Sequence, residues 1–251
     1  MKKTEPSIVL GAIHNELMSV CSDKLREGQT RFFKEKVTFL GCSLPQCNKI
    51  AGNWARNLQD EGWSYDDILA LAEDLLKAGS WEEGTIALEL VARRKGGFRE
   101  EDFSTFERWL SEYVNNWAHT DSIAPHIFGE LVERYPNLTE RIFEWTKSPN
   151  RWMRRASAVT YVLHARHGKF HDVVYKTADA LLGDDDDMVR KGVGWMLKCA
   201  SQADENGVVE YLMNNRNRTS RLVLRYATEK VSSTNRSLVL GRTKPQTLNS
   251  D

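Results

Sequence analysis

Apolar residues recur along this chain at intervals of three and four. Between residues 66 and 78 (DDILALAEDLLKA), Ile68, Leu69, Leu71, Leu75 and Leu76 follow a 3.6-residue period, the signature of an amphipathic helix. Residues 84–94 continue it with Ile86, Leu88, Leu90 and Val91. The same period predicts helices over 123–135, 138–147, 152–166, 171–182, 187–200, 206–213 and 219–231. Breaks fall at Gly, Pro, Asn and Asp: Lys95-Gly96-Gly97, Tyr135-Pro136-Asn137, Ser148-Pro149-Asn150, Gly183 to Asp187, and Asn214 to Asn217. Strand-like alternation is nearly absent. Residues 1–40 read as one or two capping helices, with Arg31 to Leu40 helical in pattern. Gly41 stops that run, and Leu44-Pro45 opens the next. Residues 232–251 are polar and aperiodic, and a flexible tail is expected there. The predicted folded domain is a single one over 1–231.

Short helices with short links raise the question of repetition. Residues 81–97 (WEEGTIALELVARRKGG) align with 152–168 (WMRRASAVTYVLHARHG), with Trp81 over Trp152 and Gly97 over Gly168, each pair 71 residues apart. Half that distance is the length of one helix pair. A further copy from Asp187 (DMVRKGVGWMLKCA) puts Lys191 at the place of Arg155, and one from Arg218 (RTSRLVLRYATEK) puts Arg221 there. The expected fold is all-α: a HEAT-like repeat α-solenoid of stacked antiparallel helix pairs, each burying its apolar face against the next. Trp81 and Trp152, at a shared repeat position, are expected in the core.

Composition narrows the class. Four scattered cysteines, none in C-x-x-C spacing, argue against a structural zinc site and fit a reducing compartment. The first residues do not resemble a signal peptide, and no apolar run approaches the roughly 18–20 residues of a membrane span. A cytoplasmic, monomeric protein without membrane contact is expected. The formal net charge is zero, but the halves differ: residues 150–251 carry 17 Lys+Arg against 11 Asp+Glu, and residues 1–149 carry 18 against 24. Such asymmetry fits either a face that meets a polyanion or an ordinary mixed surface.

Two features carry possible chemistry. The predicted helix starts of the late repeats bear Arg154 and Arg155, then Arg190 and Lys191, then Arg218 and Arg221. A cation at a helix N-terminus opposes the dipole, so helix stability does not account for the row. A phosphate backbone does; pairing with neighbours such as Asp184 to Asp187 is the alternative. The second feature is NNWAHTDSIAPH (115–126), which sets Trp117 and Asp121 four apart, on one helical face. By spacing alone, Asp121 serves equally as a cap of a following helix and Trp117 as core. His119 in the same segment reads as an ordinary hydrogen-bonded helix residue. Trp195, preceded by Gly192 and Gly194, reads as tightly packed helix.

Over Phe32 to Lys230 the chain resembles the AlkD-like, HEAT-like repeat family of alkylpurine DNA glycosylases. The resemblance rests on FKEKVTFLGCSLPQCNKIA, NNWAHTDSIAPHIFGE, NRWMRRASAV, VRKGVGWMLK and RTSRLVLRYATEK. It implies catalytic roles for Asp121 and for Trp117 and Trp195. It implies backbone contact by Arg155, with Lys198 standing where the best-known members have Arg. Those members also have W-W-D where this chain has Asn116, Trp117 and Ala118. The implied activity is excision of N3- or N7-alkylated, cationic purines from double-stranded DNA, with no metal or cofactor. A non-catalytic binder of damaged or branched DNA, and a protein-interaction scaffold, are the alternative expectations.

Overall fold

The computed structural model describes residues 3–241. Regular structure among them is helical, apart from one isolated parallel bridge between Thr38 and Ser80. The chain divides into two compact units at Pro136/Asn137.

In the first unit, α1 (Pro6–Val20), α2 (Asp23–Phe32), α3 (Leu44–Asp60) and α4 (Tyr65–Ala78) precede α5 (Trp81–Ala92), α6 (Asp102–Glu112), α7 (Trp117–Ile123) and α8 (Gly129–Arg134). Starts and stops follow local chemistry. Ser64 and Asp67 form a capping box at the start of α4, and Gly79 ends it in the left-handed conformation. Helix α5 is the axis of this unit. From Trp81 to Val91 every residue except Glu89 is buried, and the helix packs against α3, α4 and α7. Each large apolar side chain so covered contributes about 1.5–3 kcal/mol. Helix α2 buries none of its residues.

In the second unit, α9 (Leu138–Glu144), α10 (Arg151–Val159), α11 (Val162–Ala165) and α12 (His171–Leu181) lead to α13 (Asp187–Ala200), α14 (Glu205–Asn214), α15 (Arg221–Ala227) and α16 (Ser233–Leu240). Here α13 is the axis, lying against α10 on one side and α15 on the other. Its two glycines allow the close approach. A Cβ on Gly194 would lie 2.4 Å from Cβ of Tyr226, and one on Gly192 would lie 3.2 Å from Cγ of Arg155. Trp81 and Trp152 are both core, at 7% and 6% exposure, as their shared repeat position predicts.

Two expectations are corrected. Arg31–Leu40 is not a helix: α2 ends at Phe32, and the chain then runs extended. Three consecutive N–H groups, of Leu40, Gly41 and Cys42, are taken by the Glu82 carboxylate at 2.9, 2.8 and 3.0 Å, leaving none of them for a helical bond. The polar stretch from Ser232 is also not irregular throughout, because Ser233–Leu240 forms α16, capped by Ser232. Only Val239 and Leu240 are buried there, too short an apolar run to show a period. The helix is held by tertiary partners: Glu205 accepts from the Ser232 N–H (3.0 Å) and from Asn235 Nδ2 (2.6 Å). The rest of the expected tail, residues 242–251, lies outside the described residues. Among the described residues no helix is long and apolar enough to cross a membrane, and no cluster of His, Cys, Asp and Glu could hold a metal ion.

The close approach at Gly194 makes a testable point. Gly194→Ala should destabilise the protein by roughly 1–3 kcal/mol, since overpacking between two backbone segments has little room to relax. Urea unfolding measures this; an unchanged midpoint would contradict the α13–α15 packing.

Candidate functional site

Trp117 is the first residue of α7, and Asn116 is its cap, with Oδ1 accepting the His119 N–H at 2.9 Å. Asp121 therefore lies inside the helix, which removes the reading of it as a cap. Helical backbone continues from Trp117 to Arg134, but through a π-helical turn at Ala124–Phe128. The cause is Pro125. An α-helix would have the N–H of residue 125 donate to the carbonyl of Asp121, and proline has no N–H and collides with that carbonyl. The turn widens, and Gly129 N–H bonds back five residues to Ala124. The one irregular turn of this helix thus begins three residues after Asp121; such turns are frequent at functional sites. Trp117 and Asp121, one turn apart, are each half-buried.

Around Trp117 the structure assembles rings that sequence reasoning missed. Phe33 stacks on the indole at 5.1 Å with planes 13° apart, and Phe32 meets it edge-on at 6.1 Å. Phe33 then leans on Phe39 (5.1 Å), Phe39 on Trp81 (6.0 Å), and Trp81 lies parallel to His119 at 6.2 Å. Phe32 is 71% exposed, a large apolar ring at the edge of this stack. The consecutive Phe32-Phe33 at the end of an otherwise polar helix was the available signal. Reading the segment as helix hid it, because Phe33 reaches Trp117 only when the chain after Phe32 is extended.

His119 is structural. It is buried, its Nε2 lies 2.9 Å from the Trp81 carbonyl, and its Nδ1 lies 3.2 Å from Asn116 Nδ2. These partners fit a neutral ring that donates from Nε2 and accepts at Nδ1. Burial pulls its pKa down to about 4. Gly84 makes space for it: a Cβ there would lie 2.5 Å from His119 Cε1.

In the second unit Trp195 is half-buried on α13. Its flanking glycines serve contacts with α10 and α15. The predicted cations keep matching places in the stacked helices α10, α13 and α15, but most have partners. Arg154 is held bidentately by Asp184 at 2.6 and 3.4 Å. Arg190 lies 3.4 Å from Asp185 and 3.5 Å from Asp187. Lys198 pairs with Glu229 at 2.8 Å, and Arg218 with Asp179 at 2.5 Å. Arg155 is buried and donates to the Met188 carbonyl, while Arg221 donates to the Leu240 carbonyl at 2.7 Å. Lys191 is half-exposed and, among the described residues, has no carboxylate partner. The acidic-neighbour alternative thus describes Arg154, Arg190 and Arg218, and Lys198 is paired likewise.

Stacked helix pairs, a carboxylate one turn from an indole beside a proline-widened turn, and cations repeated along neighbouring helices define a class, and comparison with known proteins gives the family. The chain belongs to the DNA alkylation repair enzymes, whose family model matches residues 13–231. Among solved structures it is similar to one described as a predicted DNA alkylation repair enzyme from Enterococcus faecalis. The two are 16% identical, with a TM-score of 0.76, over 85% of this chain and 98% of the other. At that identity the likeness speaks to the fold. Among curated proteins none is matched by sequence.

The neutral His119 sets a pH dependence. Its folded pKa of about 4 lies below the ordinary 6.5, so the unfolded chain binds the proton more readily. Its contribution is complete above pH 6.5 and is lost as pH falls toward 4. Wild-type stability should drop by on the order of 1–2 kcal/mol between pH 7 and pH 5 from this group, and His119→Gln should flatten that slope. Parallel losses in the two proteins, followed by urea denaturation, would remove His119 from this role.

Proposed function

We propose that the protein is a monofunctional DNA glycosylase that releases N3- and N7-alkylated purines from duplex DNA and leaves an abasic site. The observation that carries this reading is the half-buried Asp121 one turn from the half-exposed, Phe33-backed Trp117, in a chain of the DNA alkylation repair family. The chemistry suits those groups. Alkylation at N3 or N7 makes the purine cationic, so the N-glycosidic bond breaks with its electron pair passing to the base, which leaves neutral. Positive charge then develops on the sugar. The Asp121 carboxylate stabilises that charge and orients the water that adds to the anomeric carbon, whose proton passes to the carboxylate or to solvent. The Trp117 indole offers its face to the cationic nucleotide, an interaction of roughly 0.5–2 kcal/mol. Trp195 supplies a further aromatic contact to the damaged strand. Lys191 contacts the phosphate backbone, and the ion-paired Arg154, Arg190, Lys198 and Arg218 and the carbonyl-bound Arg155 and Arg221 exchange their present partners for phosphates.

The test is release of free base from methylated duplex DNA, wild type beside Asp121→Asn. The variant should bind DNA as the wild type does and lose release by at least the ~10²-fold attached to a positioned charge of this kind. Full release by the variant would remove Asp121 from the reaction. Binding without release by the wild type would make the protein a non-catalytic DNA binder.

A further inference from the structure

The first unit is acidic in sum, with 22 Asp+Glu against 16 Lys+Arg over residues 1–136. One open groove on it departs from that balance. Its volume is about 530 Å³, and it lies between one face of α3 and the end of α5. Four cations line it: Lys49 and Arg56 from α3, and Arg93 and Arg94 just past the end of α5. Its other side chains are mostly amides, and none of the lining residues is acidic.

The state of these cations differs from that of the repeat-start row in the second unit. Lys49, Arg56 and Arg94 have no carboxylate partner among the described residues. Arg56 donates to Asn53 Oδ1 at 2.6 Å, which leaves its positive charge uncompensated. Arg93 is paired with Glu89 at 2.7 Å. The Arg94 Nη2 is buried and has no hydrogen-bond partner, an unmet donor of the strongest kind. Favourable interaction with the negative end of α5 accounts for Arg93 and Arg94. It does not account for Lys49 and Arg56, which sit along α3. From Leu44 to Gln59 that helix carries no acidic residue at all. Arg93 lies against Gly52, between the two cations, with a Cβ there 3.6 Å from Arg93 Nη2.

We propose that this groove is a phosphate-binding site that holds the sugar–phosphate backbone of DNA; the choice of DNA rests on the functional reading above. Lys49 and Arg56 are seven residues apart, roughly 10 Å of helix axis. Successive phosphates of one strand advance about 3.4 Å along the duplex, so the groove faces more than one of them. The contacts are to backbone, so they carry no base preference. The amides of Asn48, Asn53 and Gln59 add neutral hydrogen bonds to phosphate or sugar oxygens.

The experiment measures affinity for an undamaged duplex across a salt series, by fluorescence anisotropy, for wild type, Lys49→Gln, Arg56→Gln and the double variant. Both residues are exposed, so the fold should be retained, and circular dichroism checks it. Each single variant should reduce the slope of log affinity against log salt by about 0.9, and the double variant by about twice that, for every duplex sequence. Unchanged slopes in the double variant would overturn the groove. Base release by wild type and Asp121→Asn is followed in parallel and separates the two ideas. Unchanged slopes with Asp121-dependent release remove the groove and leave the glycosylase. Reduced slopes with no release leave the groove and remove the glycosylase. A wild type that binds no duplex overturns both.

Discussion

The first unit depends on a buried charge. Glu82 is fully buried in the first turn of α5 and accepts the N–H groups of Leu40, Gly41 and Cys42. An uncompensated carboxylate in that position would cost several kcal/mol. Three backbone donors and the positive end of α5 offset the cost. In return the carboxylate fixes a segment that belongs to neither a helix nor a sheet. Two backbone bonds also tie it, from Trp81 N–H to the Thr38 carbonyl and from Ser22 N–H to the Gly41 carbonyl, each 2.9 Å. Phe33 and Phe39 ride on this segment, and Phe33 is what Trp117 stacks against. Removing the Glu82 carboxylate takes three hydrogen bonds from this segment and weakens the support of Phe33 against the indole. Gly41 is part of the same device: its φ of +107° and the tight crossing with Ser22, whose carbonyl oxygen would lie 2.4 Å from a Cβ, admit no side chain.

What was legible in the sequence follows from what is local. Helix α13 runs over the 187–200 predicted from its period, since its apolar face and the Asp186 cap are contiguous in sequence. The Trp117–Asp121 spacing was readable for the same reason. The extended segment after Phe32 was not, because the carboxylate that holds its far end, at Leu40 to Cys42, lies 40 or more residues away on α5. Helix α16 shows no period because only two of its side chains are buried, and its start is held by Glu205 of α14, some 30 residues earlier. Helix α6 was left unread, although Phe103, Phe106, Trp109 and Leu110 carry a helical period. The partners of the cations were invisible in the same way: Asp179 reaches Arg218 and Glu229 reaches Lys198 across more than 30 residues. Sequence reports which side chains are charged; the fold decides which charges are already compensated.

That distinction shapes the electrostatics of the proposed DNA contact. A cation held by a carboxylate must give up that partner to bind phosphate, so its net gain is smaller than that of an unpaired one. Arg154, with two hydrogen bonds to a half-buried Asp184, has the most to lose. Among the described residues, Lys191 and the groove cations Lys49, Arg56 and Arg94 have no carboxylate to give up. On the proposed reading, backbone affinity comes disproportionately from these few groups, while the zero formal net charge keeps long-range attraction weak. Binding would then rely on fitted contacts, and the aromatic stack at Trp117 would meet the damaged nucleotide once the strand is seated.

The central claim is that Asp121 and Trp117 face the sugar of an alkylated nucleotide. The most direct measurement is a crystal structure of the Asp121→Asn variant bound to a duplex with one N7-methylguanine, the substitution keeping the lesion intact. The account predicts the methylated nucleotide with its anomeric carbon within reach of the residue 121 side chain, directly or through one water, and its sugar against the Trp117 indole. A lesion seated elsewhere on the protein, or left in the stack with residues 117 and 121 turned away from it, would contradict the account.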